Sequence, residues 1–166
     1  MVKKILKNKK NIILKKVFLV VIDDSHEQHQ AIRFACLRAK STNGRVALLK
    51  CISPAEFQHF AGVAEIMRSE ARENAEKQMR KMSEYVLNIS GEMPILFVRE
   101  GDSKDELISL INGEDNISSL ILGMSTESSG PGPLVSFITS RGSGIIKIPI
   151  TLVPGDMTDS EIDSLT

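Results

Sequence analysis

Val17-Phe18-Leu19-Val20-Val21-Ile22 is an unbroken run of six apolar residues, closed by Asp23, Asp24 and Ser25. A run this short and without alternation reads as a strand buried on both faces, as in the middle of a parallel sheet. Four further apolar runs follow, at Val46–Ile52, Ile95–Val98, Leu120–Leu122 and Ile150–Val153. Segments of helical period separate them. Ile32, Ala35, Cys36 and Ala39 keep helical spacing up to Asn43-Gly44, a stop signal. The longest segment, residues 63–87, aligns Met67, Ala71, Ala75, Met79, Met82 and Val86 in one stripe, where methionines act as core fillers. Leu107, Ile108 and Ile111, followed by Gly113, outline a third helix. A fourth is expected to open at Pro133, since proline suits a first turn, and to close before Gly142.

The resulting order, β-α-β-α-β-α-β-α-β, predicts an α/β fold of Rossmann-like type. This is an open five-stranded parallel sheet with helices on both faces and right-handed crossovers. Ligands of such sheets bind outside the carboxyl ends of the strands, where the strand order switches. The residues to inspect are then Asp23, Asp24 and Ser25, Cys51 and Ile52, Gly101 and Asp102, and those from Gly123 onward. Ser25–Gln28 and Ser103–Glu106 each have the form of a capping box. Lys50 predicts that the second strand turns one face to solvent near its end.

The chain has 166 residues, the size of one domain with its own core, and carries neither an internal repeat nor an interdomain linker. Lysines and arginines number 21, as do aspartates and glutamates. That balance argues against a dedicated nucleic-acid binder, and 4% aromatics argues against exposed base-stacking platforms. The zero sum hides an uneven distribution. Residues 1–16 hold seven lysines and no acid, residues 155–166 hold four acids and no base, and residues 17–154 are mildly acidic. The expected organisation is a basic arm, a domain over 17–154 and an acidic tail, with arm and tail as solvated termini or, alternatively, docked on each other or on a partner. Val17–Ile22 is too short for the apolar core of a leader and runs into two acids. No stretch approaches the ~20 apolar residues that span a bilayer. The expected location is cytoplasmic, which suits free thiols at Cys36 and Cys51.

Catalytic and metal signatures are weak. His26 and His29 are three apart without a third ligand nearby, so they read as solvated helix residues rather than a metal site. His59, within Phe57–Phe60, reads as part of a loop tethered ahead of the long helix. Asp105 and Glu106 suit the first turn of a helix rather than a catalytic pair. No nucleophile elbow, Walker loop or His-Glu-x2-His motif occurs. The expectation is a protein that is not an enzyme.

Five segments, in order, resemble the universal stress protein family over residues 17–154. They are the Asp23-x-Ser25 turn, the strand Leu48–Ile52, Arg99-Glu100-Gly101-Asp102, Ile121-Leu122-Gly123 and the closing Pro149–Pro154. The resemblance implies a homodimer that pairs its last strand, Ile150 to Val153, across a two-fold axis, and a cytoplasmic role in stress response. Many members bind ATP through Gly-x2-Gly-x9-Gly followed by Ser or Thr. In that motif glycines let backbone amides approach the phosphates and a helix N-terminus completes the cradle. Carried over, Asp23 faces the ribose and adenine side and Cys51 contributes backbone at the end of the second strand. Gly123, Thr126 and Ser136 line the phosphate side.

Only the first glycine is present. Thr126 and Ser136 stand at the second and third, and Phe137 stands where a hydroxyl residue is expected. Residues 105–140 contain no Lys or Arg, and Glu127 lies inside the loop, so a triphosphate would meet uncompensated negative charge. Against this, the loop offers hydroxyls at Thr126, Ser128, Ser129 and Ser136, and Gly130-Pro131-Gly132-Pro133 leads stiffly into a helix. The expected function is a stress-response module acting through an unknown protein partner, with no nucleotide required. The alternative is a sensor of ATP or another adenine nucleotide with an altered phosphate loop. A small enzyme of the adenine nucleotide hydrolase-like group would need a catalytic set that the sequence does not offer.

Overall fold

A computed structural model describes residues 15–54 and 62–166. Five strands, β1 (Val17–Ile22), β2 (Arg45–Ile52), β3 (Ile95–Glu100), β4 (Ile117–Met124) and β5 (Ile150–Pro154), form one sheet in the order β3-β2-β1-β4-β5. Every pairing is parallel, so the α/β architecture is as the apolar runs predict. The order reverses beside β1, whose neighbours are β2 and β4.

Alternation along β1 divides the core. Val17, Leu19 and Val21 join Leu107, Leu110, Leu134 and Ile138 on one face. These come from α3 (Ser103–Gly113) and α4 (Pro133–Arg141). Phe18, Val20 and Ile22 join Ile32, Cys36, Met79 and Val86 on the other, beneath α1 (Gln28–Thr42) and α2 (Ala64–Ser90). Both faces of β1 are buried throughout, which is why its six residues are all apolar. The methionine stripe of α2 packs as expected, with Ala75, Met79 and Val86 fully buried.

Several local expectations need correction. Ser25 does not cap α1. The N-cap is Glu27, without a side-chain cap bond, and the Ser25 hydroxyl donates to Asp23 Oδ1 at 2.6 Å instead. Asp24 adopts φ 64° and turns the chain before the helix can begin. The second capping box also shifts by one residue. Asp102 is the N-cap of α3, accepting from the backbone amides of Lys104 and Asp105, while Glu106 lies 3.6 Å from Arg99. β4 begins at Ile117, ahead of its apolar run, because the Ser118 hydroxyl donates to the Val17 carbonyl at 3.0 Å and the residue stays polar within the sheet.

The acidic tail is not a solvated terminus. Residues Asp159–Ser164 form α5, opened by a complete capping box between Thr158 and Glu161. Its Ile162 is 0% exposed within the α1–α2 face of the core. Arg33 of α1 grips Asp163 with two 2.8 Å hydrogen bonds and lies 3.3 Å from Asp159. Of the basic arm, Lys15 pairs with Glu92 at 2.6 Å. Residues 1–14, and the Phe57–Phe60 segment with His59, lie outside the described residues. No helix among the described residues is long and apolar enough to cross a membrane.

Candidate functional site

A cleft of about 570 Å³ opens at the carboxyl ends of β1 and β2, bounded by α2 and by the start of α3 and α4. This is the position that the reversal of strand order predicts. Asp23 and Cys51, both expected here, line it together with Asp24, Lys50, Gln78 and Asp102.

The β1–α1 turn forms the near wall. Asp23 Oδ1 accepts from both the amide and the hydroxyl of Ser25, which closes the turn locally. Asp24 then points across the cleft. Its carboxylate accepts from Lys50 Nζ at 2.6 Å and from the Gln78 amide of α2. Partial burial pushes the Asp24 carboxyl up. The hydrogen bonds from Lys50 and Gln78 and the charge of Lys50 more than offset this and hold it below its ordinary value. Lys50 turns this end of β2 into the cleft, with its side chain 12% exposed.

Cys51 is half-buried beside the cleft. Burial, reinforced by the Glu106 and Asp102 carboxylates, pushes its thiol up to about 11, so it stays protonated at neutral pH and is a poor nucleophile. Cys36 is raised further, to about 12, chiefly by burial in the core.

Gly123 is at the site but its surface is already covered. A Cβ added there would lie 2.4 Å from the backbone oxygen of Glu27. The same residue crowds the chain leaving β5, because a Cβ on Gly155 would stand 2.7 Å from the Glu27 Cβ. The Glu27 carboxylate reaches towards the start of α4, with Oε1 3.9 Å from a Cβ placed on Gly132. The space between Glu27, Gly123 and Gly132 is consequently only about 10 Å³. Thr126 and Ser136 are both exposed and lie outside the linings of the cleft and of this small space. The five expected residues thus divide: Asp23 and Cys51 share the cleft, Gly123 packs under Glu27, and Thr126 and Ser136 face outward.

Among the described residues, four carboxylates, Asp23, Asp24, Glu27 and Asp102, line the cleft against one cation, Lys50. A polyphosphate would bring further negative charge to this lining, and the surface of Gly123 is covered by the chain itself. Lys50, Gln78 and Glu27 were not legible as site residues in the sequence. A signal was present for Lys50 alone, as the single charge inside an apolar strand.

The universal stress protein family model matches residues 15–154. The chain belongs to this family. The fold is shared with solved members at low sequence identity. The universal stress protein UspA from Lactobacillus plantarum superposes with a TM-score of 0.70 at 15% identity, covering 84% of this chain and 98% of that one. A protein of the family from Burkholderia pseudomallei gives 0.64 at 14% identity, covering 84% and 96%. The universal stress protein from Archaeoglobus fulgidus in complex with dAMP gives 0.59 at 13% identity, covering 86% and 99%. No curated protein matches the sequence. The two replaced positions of the phosphate motif, Thr126 and Ser136, are exposed here, and the retained Gly123 is the one that packs against Glu27.

Proposed function

We propose that this chain is a cytoplasmic stress-response module of the universal stress protein type that acts through protein contacts, as a homodimer, and requires no nucleotide. The observation that carries the reading is the Glu27 carbonyl, which lies where a single carbon on Gly123 would be 2.4 Å away. In a phosphate cradle that glycine surface is left open for ligand oxygens. Here a backbone oxygen, itself an acceptor, covers that surface. The Glu27 side chain brings negative charge towards the start of α4, the charge that a helix N-terminus favours. The reading includes no catalysis: the Ser25 hydroxyl that meets Asp23 in the cleft is used to close the β1–α1 turn.

One observation favours a second reading, an adenine-nucleotide sensor using an altered phosphate loop. The 570 Å³ cleft has the volume of a small-molecule site, and the related Archaeoglobus protein is described with dAMP. A monophosphate or a nucleoside places less charge beside the acids than a triphosphate does.

Denaturing mass spectrometry of the purified protein, with calorimetric titration of ATP and AMP, separates the two. The proposal expects no retained nucleotide and no saturable ATP binding below millimolar concentration. Micromolar affinity for ATP would overturn it. Micromolar AMP binding without ATP binding would establish the second reading.

A further inference from the structure

Beyond residue 154, where the match to the family ends, the chain adds α5 and lays it on α1. Asp159, Ile162 and Asp163 are spaced i, i+3, i+4 and share one face of this helix. Ile162 is its one buried residue, joined to the α1–α2 face of the core. The two aspartates of that face both meet α1. Arg33, whose side chain is 18% exposed, donates two 2.8 Å hydrogen bonds to Asp163 and lies 3.3 Å from Asp159. His29 Nε2 is 3.5 Å from Asp159 Oδ1, and its ring is 5.1 Å from that of Tyr85 in α2. A guanidinium fork set against a carboxylate fixes geometry as well as charge.

Two observations mark α5 as an exchangeable occupant of this surface. Its fit to α1 is incomplete: Gln30 Nε2 donates to the Met157 carbonyl at 3.4 Å, while Gln30 Oε1 is buried with no hydrogen-bond partner among the described residues. A buried acceptor left unmatched is costly, and a ligand with a donor at that point would remove the cost. The helix is also only six residues long, and all five strands and α1 to α4 precede it in the chain. A short peripheral element with one apolar anchor opens locally at lower cost than the core.

We propose that α1, through Arg33 and Gln30, is a docking site for a short acidic helix of a partner protein, one with Asp-x-x-Ile-Asp on its buried face, and that α5 fills this site in the free chain as a displaceable internal ligand. The inference rests on the reading that the chain acts through protein contacts, and it names the class of partner. Nucleotide binding in the cleft would overturn that reading without changing the outcomes below.

The probe is a peptide of residues 156–166, labelled with fluorescein at its amino end and titrated into the full chain by anisotropy. In the parent the site is filled from within, at the high effective concentration of a short tether, so the peptide should bind weakly. The Ile162→Ser, Asp163→Ser double variant vacates the site, and the peptide should bind it one-to-one, about tenfold tighter or more than the parent. Adding Arg33→Gln to that variant, or placing Ile162→Ala or Asp163→Asn in the peptide, should each weaken binding about fivefold or more. Hydrogen exchange of the parent, followed by NMR, decides the matter if the double variant does not fold. The Ile162 and Leu165 amides, which donate to the Thr158 and Ile162 carbonyls, should exchange about tenfold faster or more than those of α1. Millimolar unlabelled peptide should speed them further and leave α1 unchanged. No tighter binding to a folded double variant than to the parent, binding that survives Arg33→Gln, α5 amides as slow as those of α1, or α5 amides unmoved by the peptide would each overturn the proposal.

Discussion

Glu27 and Gly123 together show how one contact converts a family motif into packing. A Gly123 Cβ would need the start of α1 to move, because the Glu27 oxygen that it would strike also accepts from the Ala31 amide. Gly123→Ala is therefore expected to destabilise the fold by about 1–3 kcal/mol, as overpacking does, measured by urea denaturation. Thr126→Ala and Ser136→Ala, at exposed positions, should stay within about 0.5 kcal/mol. If Gly123 instead lined an open phosphate site, its substitution would affect ligand binding and leave stability near the native value. Asp24 gives a second test. Its folded carboxyl lies below the ordinary range, so its stabilising contribution is present above about pH 4 and is lost as pH falls through the folded value. Asp24→Asn keeps a residue that tolerates φ 64° and removes only the charge. The carboxylate is 61% exposed, so the loss at pH 7 should be at most about 1 kcal/mol. The difference between variant and parent should shrink as the pH falls below about 4.

α5 is the element whose role the charge pattern concealed. Four acids in twelve residues read as a solvated tail, yet Ile162 is buried in the α1–α2 face of the core, with Met157 packed against the same face. Ile162→Ala should cost about 2–5 kcal/mol, the range for emptying a packed aliphatic site. Leu165→Ala, at a position 62% exposed, should be nearly silent, and thermal melts distinguish the two. Equal effects would mean that α5 does not dock. The ion pairs of Arg33 orient this helix: hydrogen bonding to Arg33 holds the Asp163 carboxyl below its ordinary value. The strands, by contrast, were readable as elements, because β1 is buried on both faces and its sequence can only be apolar there. Boundaries drifted where polar residues entered the sheet with a partner, as Ser118 does at the start of β4.

For the whole molecule, the parallel order leaves β3 and β5 as edges. β5 is short and largely apolar, an edge that invites pairing unless covered. Pairing with a second copy across a two-fold axis meets that need. Light scattering behind size exclusion should then report twice 18.3 kDa. Ile150→Lys should give the single-chain mass with an unchanged far-ultraviolet spectrum. A parent that elutes as one chain would remove the homodimer from the proposed function while leaving the acidic cleft as it is.

The order of apolar runs and helical stripes determined the α/β class, the five strands and the end of the sheet at which to look, because burial on one or both faces constrains residue type position by position. The same reading located Asp23 and Cys51 at the cleft and the missing glycines at Thr126 and Ser136. It could not locate Glu27 over Gly123, Asp24 between Lys50 and Gln78, or Ile162 of α5 within the α1–α2 face of the core. Those contacts join residues up to about 130 positions apart (Arg33 to Asp163 is one). They depend on the direction in which a left-handed residue sends the chain and on which surfaces remain open once the sheet is assembled. Only the tertiary structure decides such matters, because distance along the chain carries no information about approach in space.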